Sequence, residues 1–316
     1  MGEKLKGKRL LTIATLVLIS TLLVIPLSSA NLFEWVKEAV TGMATQQPTS
    51  LNITIGNTPP SILDIFIPSS IDPVDNSNVN VEFSFLADDQ DGISQLLNAS
   101  ANATFILDAS GVGSGMQMND TVCDASDTGN NGSVQNYSCS ITMRYWDRAS
   151  DWSVNVTISD GASQAATYNE TFTYNSLTAI NMTPSSMGWG PVTLTSTDQL
   201  SASNPITVGN TGNYNVSMGN INMSAIDLGG EAATSEFISA NNFSINTASA
   251  CNSGNWLQNK SLGDVAVTGA GLATGLDVGE RASDELLYLC LEELPQGISQ
   301  QSYSTLNVGT WSLGVV

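Results

Sequence analysis

The chain contains no histidine. That absence removes Ser-His and Cys-His nucleophile systems and every His-ligated metal. Basic residues are scarce: nine Lys and Arg stand against 29 Asp and Glu, for a net charge of −20. A surface of that sign repels nucleic acid and anionic lipid. The excess reads as solubility outside the cell, and a total charged content of 12% is too low to argue halophilic adaptation. No G-x-S-x-G elbow occurs, and neither Lys37 nor Lys260 follows an S-x-x-K pattern. No C-x-x-C pair exists, which with the missing histidine rules against zinc. Long apolar runs are also missing, with one exception at the N-terminus.

That exception is Leu10 to Leu27. It follows a basic stretch holding Lys4, Lys6, Lys8 and Arg9, and it ends on Ser28-Ser29-Ala30. Small residues at −3 and −1 after an apolar run predict a secretory signal peptide over residues 1–30. An uncleaved membrane anchor is the alternative, since the run is long for a signal. Cleavage leaves Lys37, Arg144, Arg148, Lys260 and Arg281 against 28 carboxylates.

Residues 31–57 are expected to hold an amphipathic helix, a polar linker and a short strand. Leu32, Phe33, Val36, Ala39, Val40 and Met43 share one helical stripe, with Asn31 and Glu34 placed as a capping box. Leu51-Asn-Ile-Thr-Ile-Gly56 alternates as a strand does. The breaker Thr58-Pro59-Pro60 predicts a domain start, giving domains at 58–175 and 176–316.

In the first domain the clearest pattern is Cys139 to Gly161. Cys139, Ile141, Met143 and Tyr145 share one face, and Trp152, Val154, Val156 and Ile158 share another beyond a polar corner at 147–151. Tyr168, Phe172 and Tyr174 follow in phase after an Asp160-Gly161 turn. Val79 to Phe85 and Asn98 to Leu107 are further strands, with residues 108–138 a long loop. In the second domain Ile206–Val208 and Tyr214–Met218 flank Asn210-Thr-Gly-Asn213 as a hairpin. Leu286–Leu291 is a central strand, and Val192–Leu194, Tyr303–Val308 and Trp311–Val315 are strands as well. Many short strands without a long helical pattern predict an all-β chain of two tandem sandwiches.

Four cysteines in an exported chain imply disulfides. Three connectivities are open. The simplest joins Cys123 to Cys139 and Cys251 to Cys290, one in each half. Thirteen Asn-x-Ser/Thr sequons are present. Asn98, Asn102, Asn155 and Asn169 fall on the solvent phase of their strands and are the expected glycan carriers. Asp88, Asp89 and Asp91 before Gly92 are candidate calcium ligands, although the EF-hand spacing fails and a plain hairpin turn is the better reading. Gly269-Ala-Gly271-Leu-Ala-Thr-Gly275 misses the dinucleotide spacing and reads as a turn. No catalytic residue, organic cofactor or confident metal ligand emerges.

Phe83–Gly92, FSFLADDQDG, and Tyr145–Gly161, YWDRASDWSVNVTISDG, resemble exported archaeal cell-surface proteins with tandem immunoglobulin-like β-sandwich domains. Residues 205–218 and 286–303 are similar to a second sandwich type in archaeal surface proteins. The resemblance implies a secreted or cell-surface structural and adhesion glycoprotein, and it carries over no catalytic residue. Its partners would be other envelope proteins, surface glycans or copies of itself, with no nucleic acid, and with membrane contact only through the signal or anchor segment. One alternative is a filament or pilus subunit assembled by strand exchange. Another is an exported protein that binds or acts on polysaccharide. Tethering favours pairing of Leu51–Gly56 with its own first domain over a neighbour's.

Overall fold

The computed structural model describes residues 50–107, 117–120, 123–252, 254–273 and 283–316. The expected signal peptide and the helix at 31–43 lie outside them. Residues 1–56 and 57–316 form two compact units. In the first, Leu51–Gly56 forms no strand, contrary to its alternation. A strand needs a partner edge to satisfy its backbone, and this segment takes no ladder partner among the described residues.

Residues 57–316 are all-β and hold two hydrophobic clusters, each the centre of a lobe. The first lobe contains β1 (Ser61–Phe66), β2 (Ser70–Ile71), β3 (Val79–Asp88), β4 (Asn102–Leu107) and β5 (Gln117–Asp120). It continues with β6 (Asp124–Asn131), β7 (Val134–Met143), β8 (Ser150–Ser159) and β9 (Ala165–Tyr174). One sheet has the order β1-β3-β7-β6 and the other β2-β9-β8-β4-β5, with β2 parallel to β9. Alternation fixes which residues enter the core between them. Phe83, Phe85, Phe105, Tyr137, Trp152, Phe172 and Tyr174 are all buried. The Cys123–Cys139 disulfide ties the residue before β6 to the middle of β7.

Several expected strands are corrected. Asn98–Ser100 is a 3-10 turn rather than the start of a strand, because Ser100 and Ala101 N–H groups donate back to Leu97 and Asn98 carbonyls. β7 stops at Met143, before Tyr145, where Asp147 accepts the Arg144 N–H and closes a turn. Tyr168 keeps the inward phase but is 38% exposed. The expected loop at 108–138 contains β5, β6 and the first half of β7. The sequence of β6, DASDTGNN, has little strand propensity, and the edge of β7 recruits it.

The second lobe begins with β10 (Ile180–Thr183), β11 (Thr197–Leu200), β12 (Ile206–Asn210), β13 (Ile221–Ser224), β14 (Leu228–Gly230) and β15 (Phe237–Ile238). It ends with β16 (Phe243–Asn246), β17 (Asn255–Trp256), β18 (Val265–Ala266), β19 (Glu285–Glu293), β20 (Tyr303–Ser304) and β21 (Ser312–Val315). β19 is central, paired with β12, β16 and β11 in the sheet β10-β12-β19-β16-β17. Two short sheets, β18-β13-β21 and β15-β14-β20, complete the lobe. Cys290 on β19 is joined to Cys251. Val192–Leu194 is not a strand, and Tyr303–Val308 is one only over its first two residues.

The expected hairpin around Asn210–Asn213 does not form. β12 pairs with β10 and β19 instead, and Val216 bridges Leu272. Thr211–Asn213 serves as the joint between lobes. Asn213 donates through Nδ2 to Asn175 O (2.9 Å) and accepts the Leu177 N–H at Oδ1 (2.7 Å). Asn76 N–H donates to Thr211 O (3.1 Å). Gly212 is required here, since a Cβ would lie 2.1 Å from Leu177 O.

Candidate functional site

A cleft of about 1170 Å³ opens in the second lobe. Its floor is core side chains of both layers: Ile206, Met223, Ile238, Phe243, Leu289 and Leu291. One wall comes from Met182 on β10 and the segment 185–194, the other from residues 298–305 and 310–313. Trp189, Phe243 and Trp311 form an aromatic row, with centroid separations of 5.2 Å and 5.1 Å. Both indole N–H groups are already taken. Trp189 donates to Gln199 O (2.7 Å) and Trp311 to Ile226 O (2.8 Å). Ring faces are therefore what these tryptophans offer a ligand.

The cleft lies at the open side of the sandwich. Among the described residues β10 pairs only with β12, and β21 only with β13. Met182 from β10 and Leu313 from β21 both line the opening, so two strands with unused edges border it.

Glu236 fastens one wall. Its carboxylate accepts from Tyr303 Oη (2.6 Å), Ser299 N (2.7 Å), Ser299 Oγ (2.7 Å) and Gln301 Nε2 (3.0 Å). These donors, Tyr303 first, hold its pKa down to about 2. An acid tied by four donors is a clamp and not a proton donor near neutral pH. Among the described residues lining the cleft, Tyr303 is the one with a titratable side chain, and its hydroxyl is engaged with Glu236.

The sequence-predicted sites fall elsewhere. Asp88, Asp89 and Asp91 sit at the far end of the first lobe. Asp89 is fully buried, and its Oδ1 accepts the Asp91 N–H (2.9 Å). Asp91 Oδ2 accepts the Thr58 N–H (2.6 Å). Asp88 Oδ1 and Asp89 Oδ2 are buried without a hydrogen-bond partner. Among the described residues only Cys251, Cys290 and Glu292 bring three candidate ligand atoms within 4.8 Å of one another, so the three aspartates do not form one coordination shell. The two cysteines of that group are in a disulfide and offer no thiolate. Asp160 closes the same end: its Oδ2 accepts from Asn57 Nδ2 (2.7 Å), the main reason its carboxyl is held below the usual range.

Asn155 and Asn169 are direct cross-strand partners on the outer face of β8 and β9, and Asn155 Nδ2 donates to Asn169 Oδ1. Asn102 lies on β4 with its Oδ1 buried. Asn98 is exposed in its 3-10 turn, and its Oδ1 accepts the buried Tyr137 hydroxyl (2.7 Å). Burial pushes that phenol up to about 12.

Sequence reasoning missed the cleft, Glu236 and Asp147. Asp147 is buried at the β7–β8 corner, with Oδ1 unpartnered. Burial raises its carboxyl to about 6, against the pull of the Arg144 N–H and guanidinium. The folded value thus exceeds the unfolded value of about 3.9. Stability from this group is complete below about pH 4 and lost as pH rises through about 6. Asp147→Asn keeps one acceptor for Arg144. It should stabilise the protein by about 1–3 kcal/mol at pH 7.5 and flatten the profile between pH 4 and 6. Urea titrations across that range check this, and superimposable wild-type and variant profiles would contradict it.

No protein-family model matches the chain, and no curated protein matches it.

Proposed function

We propose that this chain is an exported, non-enzymatic structural and adhesion protein of the cell envelope. The observation that carries the reading is the lining of the cleft in the second lobe. Among the described residues no Asp, Glu, Lys, Arg or Cys lines it, so their side chains offer apolar binding area without the paired acids or activated nucleophiles that hydrolysis needs. Two disulfides support an oxidising compartment. Among the described residues no helix is long and apolar enough to cross a membrane. The resemblance to archaeal surface proteins with immunoglobulin-like domains supports the same reading, with glycans expected at outward sequons. Asn155 and Asn169 face each other too closely for both to carry one freely. Immunogold labelling of thin sections of source cells tests the proposal. Label outside the cytoplasmic membrane is expected, and label confined to the cytoplasm would contradict it.

A further inference from the structure

Leu51, Ile53 and Ile55 form an alternating apolar stripe that is 82%, 76% and 86% exposed. Three large aliphatic side chains in phase, on a segment with no ladder partner among the described residues, are an unfilled strand face. The second lobe offers the complement: an apolar cleft bordered by the unused edges of β10 and β21. A strand entering there would extend a sheet with its backbone and sink alternate side chains onto the aromatic row. Asn52 and Thr54 would face outward.

The chain's own geometry decides whose cleft is filled. Asn57 and Thr58 are fixed to Asp160 and Asp91, at the end of β8 marked by Ser159. The joint to the second lobe, at Asn175, is at the other end, since Tyr174 pairs with Ser150. A ten-residue strand separates the two ends, about 30 Å at the usual rise. From Asn57 back to Leu51 the chain spans at most about 21 Å. The stripe therefore falls short of the joint through which the chain enters the second lobe, the lobe that holds the cleft.

We propose that Leu51–Ile55 of one copy docks in the cleft beside β10 and β21 of a second copy, so that the protein polymerises head to tail. Stripe and cleft are different surfaces of the same chain, so the contact is heterologous and propagates as a fibre where the rotation does not close a ring. The proposal deepens the envelope reading by naming a second copy as the partner. It replaces the expectation that the segment pairs with its own first domain.

The test uses the chain from residue 31 onward. Wild-type protein should form polymers in light scattering, and Ile53→Asp should give monomers that keep the wild-type circular dichroism spectrum. The variant Ile53→Cys with Leu313→Cys should give a reducible ladder of dimers, trimers and higher species on non-reducing gels. A cross-link closing within the monomer, or no cross-link in either form, would overturn the proposal. So would polymers of Ile53→Asp equal to wild type. These readouts use purified protein and do not depend on cellular location, so their failure is distinguishable from failure of the envelope reading.

Discussion

Replacing Cys251 and Cys290 together by alanine should destabilise the second lobe by about 4 kcal/mol. The two residues are 39 apart in sequence, and closing a loop of that size removes much of the freedom of the unfolded chain. A second contribution comes from Glu292, two residues beyond Cys290 and 3% exposed. Its carboxylate accepts the Asn252 N–H through both oxygens, at 3.1 and 3.0 Å, and also the Ser244 hydroxyl. The disulfide holds residue 251 beside this carboxylate. Freeing that loop takes away the Asn252 donor and leaves a buried acceptor with fewer partners, at a further cost of about 1–3 kcal/mol. Urea unfolding of the double variant measures the sum. The first lobe has its own core and should unfold as in wild type. A loss below about 1 kcal/mol would show that the loop is held by other contacts.

Trp152→Ala should destabilise the first lobe by about 3–5 kcal/mol. The indole is fully buried between the sheets, and its N–H donates to Arg148 O (3.0 Å). Truncation opens a cavity and orphans a carbonyl at the corner that leads into β8. Asn155→Asp, on the opposite face of the same strand, should cost under about 1 kcal/mol, because that face is in contact with water and Asn169 can turn its amide toward the new carboxylate. Equal sensitivity of the two sites in a denaturant titration would refute the facing of β8.

Strands with strict alternation were legible from the sequence, because a half-buried face imposes period two. Val79 to Phe85 and Trp152 to Ile158 carry that pattern, and both lie in strands whose expected inward residues are buried, apart from the half-buried Val79 at the strand's start. The disulfide partners are the simplest pairing, one per lobe. β6 was not legible, since its polar, glycine-containing sequence pairs only because β7 presents an edge. The Asn210–Asn213 joint misled for a related reason. Asn and Gly suit a hairpin locally, yet the Asn213 amide is used by the linker at Asn175 and Leu177. The cleft was invisible for a third reason. Trp189, Phe243 and Trp311 are far apart in the chain, and nothing in their local patterns says that they meet. Glu236 acquires its role only from donors more than sixty residues away.

Electron microscopy of the native protein released from source cells tests the central claim most directly, because it separates filament from monomer in a single observation. The account predicts filaments built of two-lobed subunits in head-to-tail register, with the N-terminal end of each subunit's first lobe against the second lobe of the next. Isolated two-lobed monomers at all concentrations would contradict it.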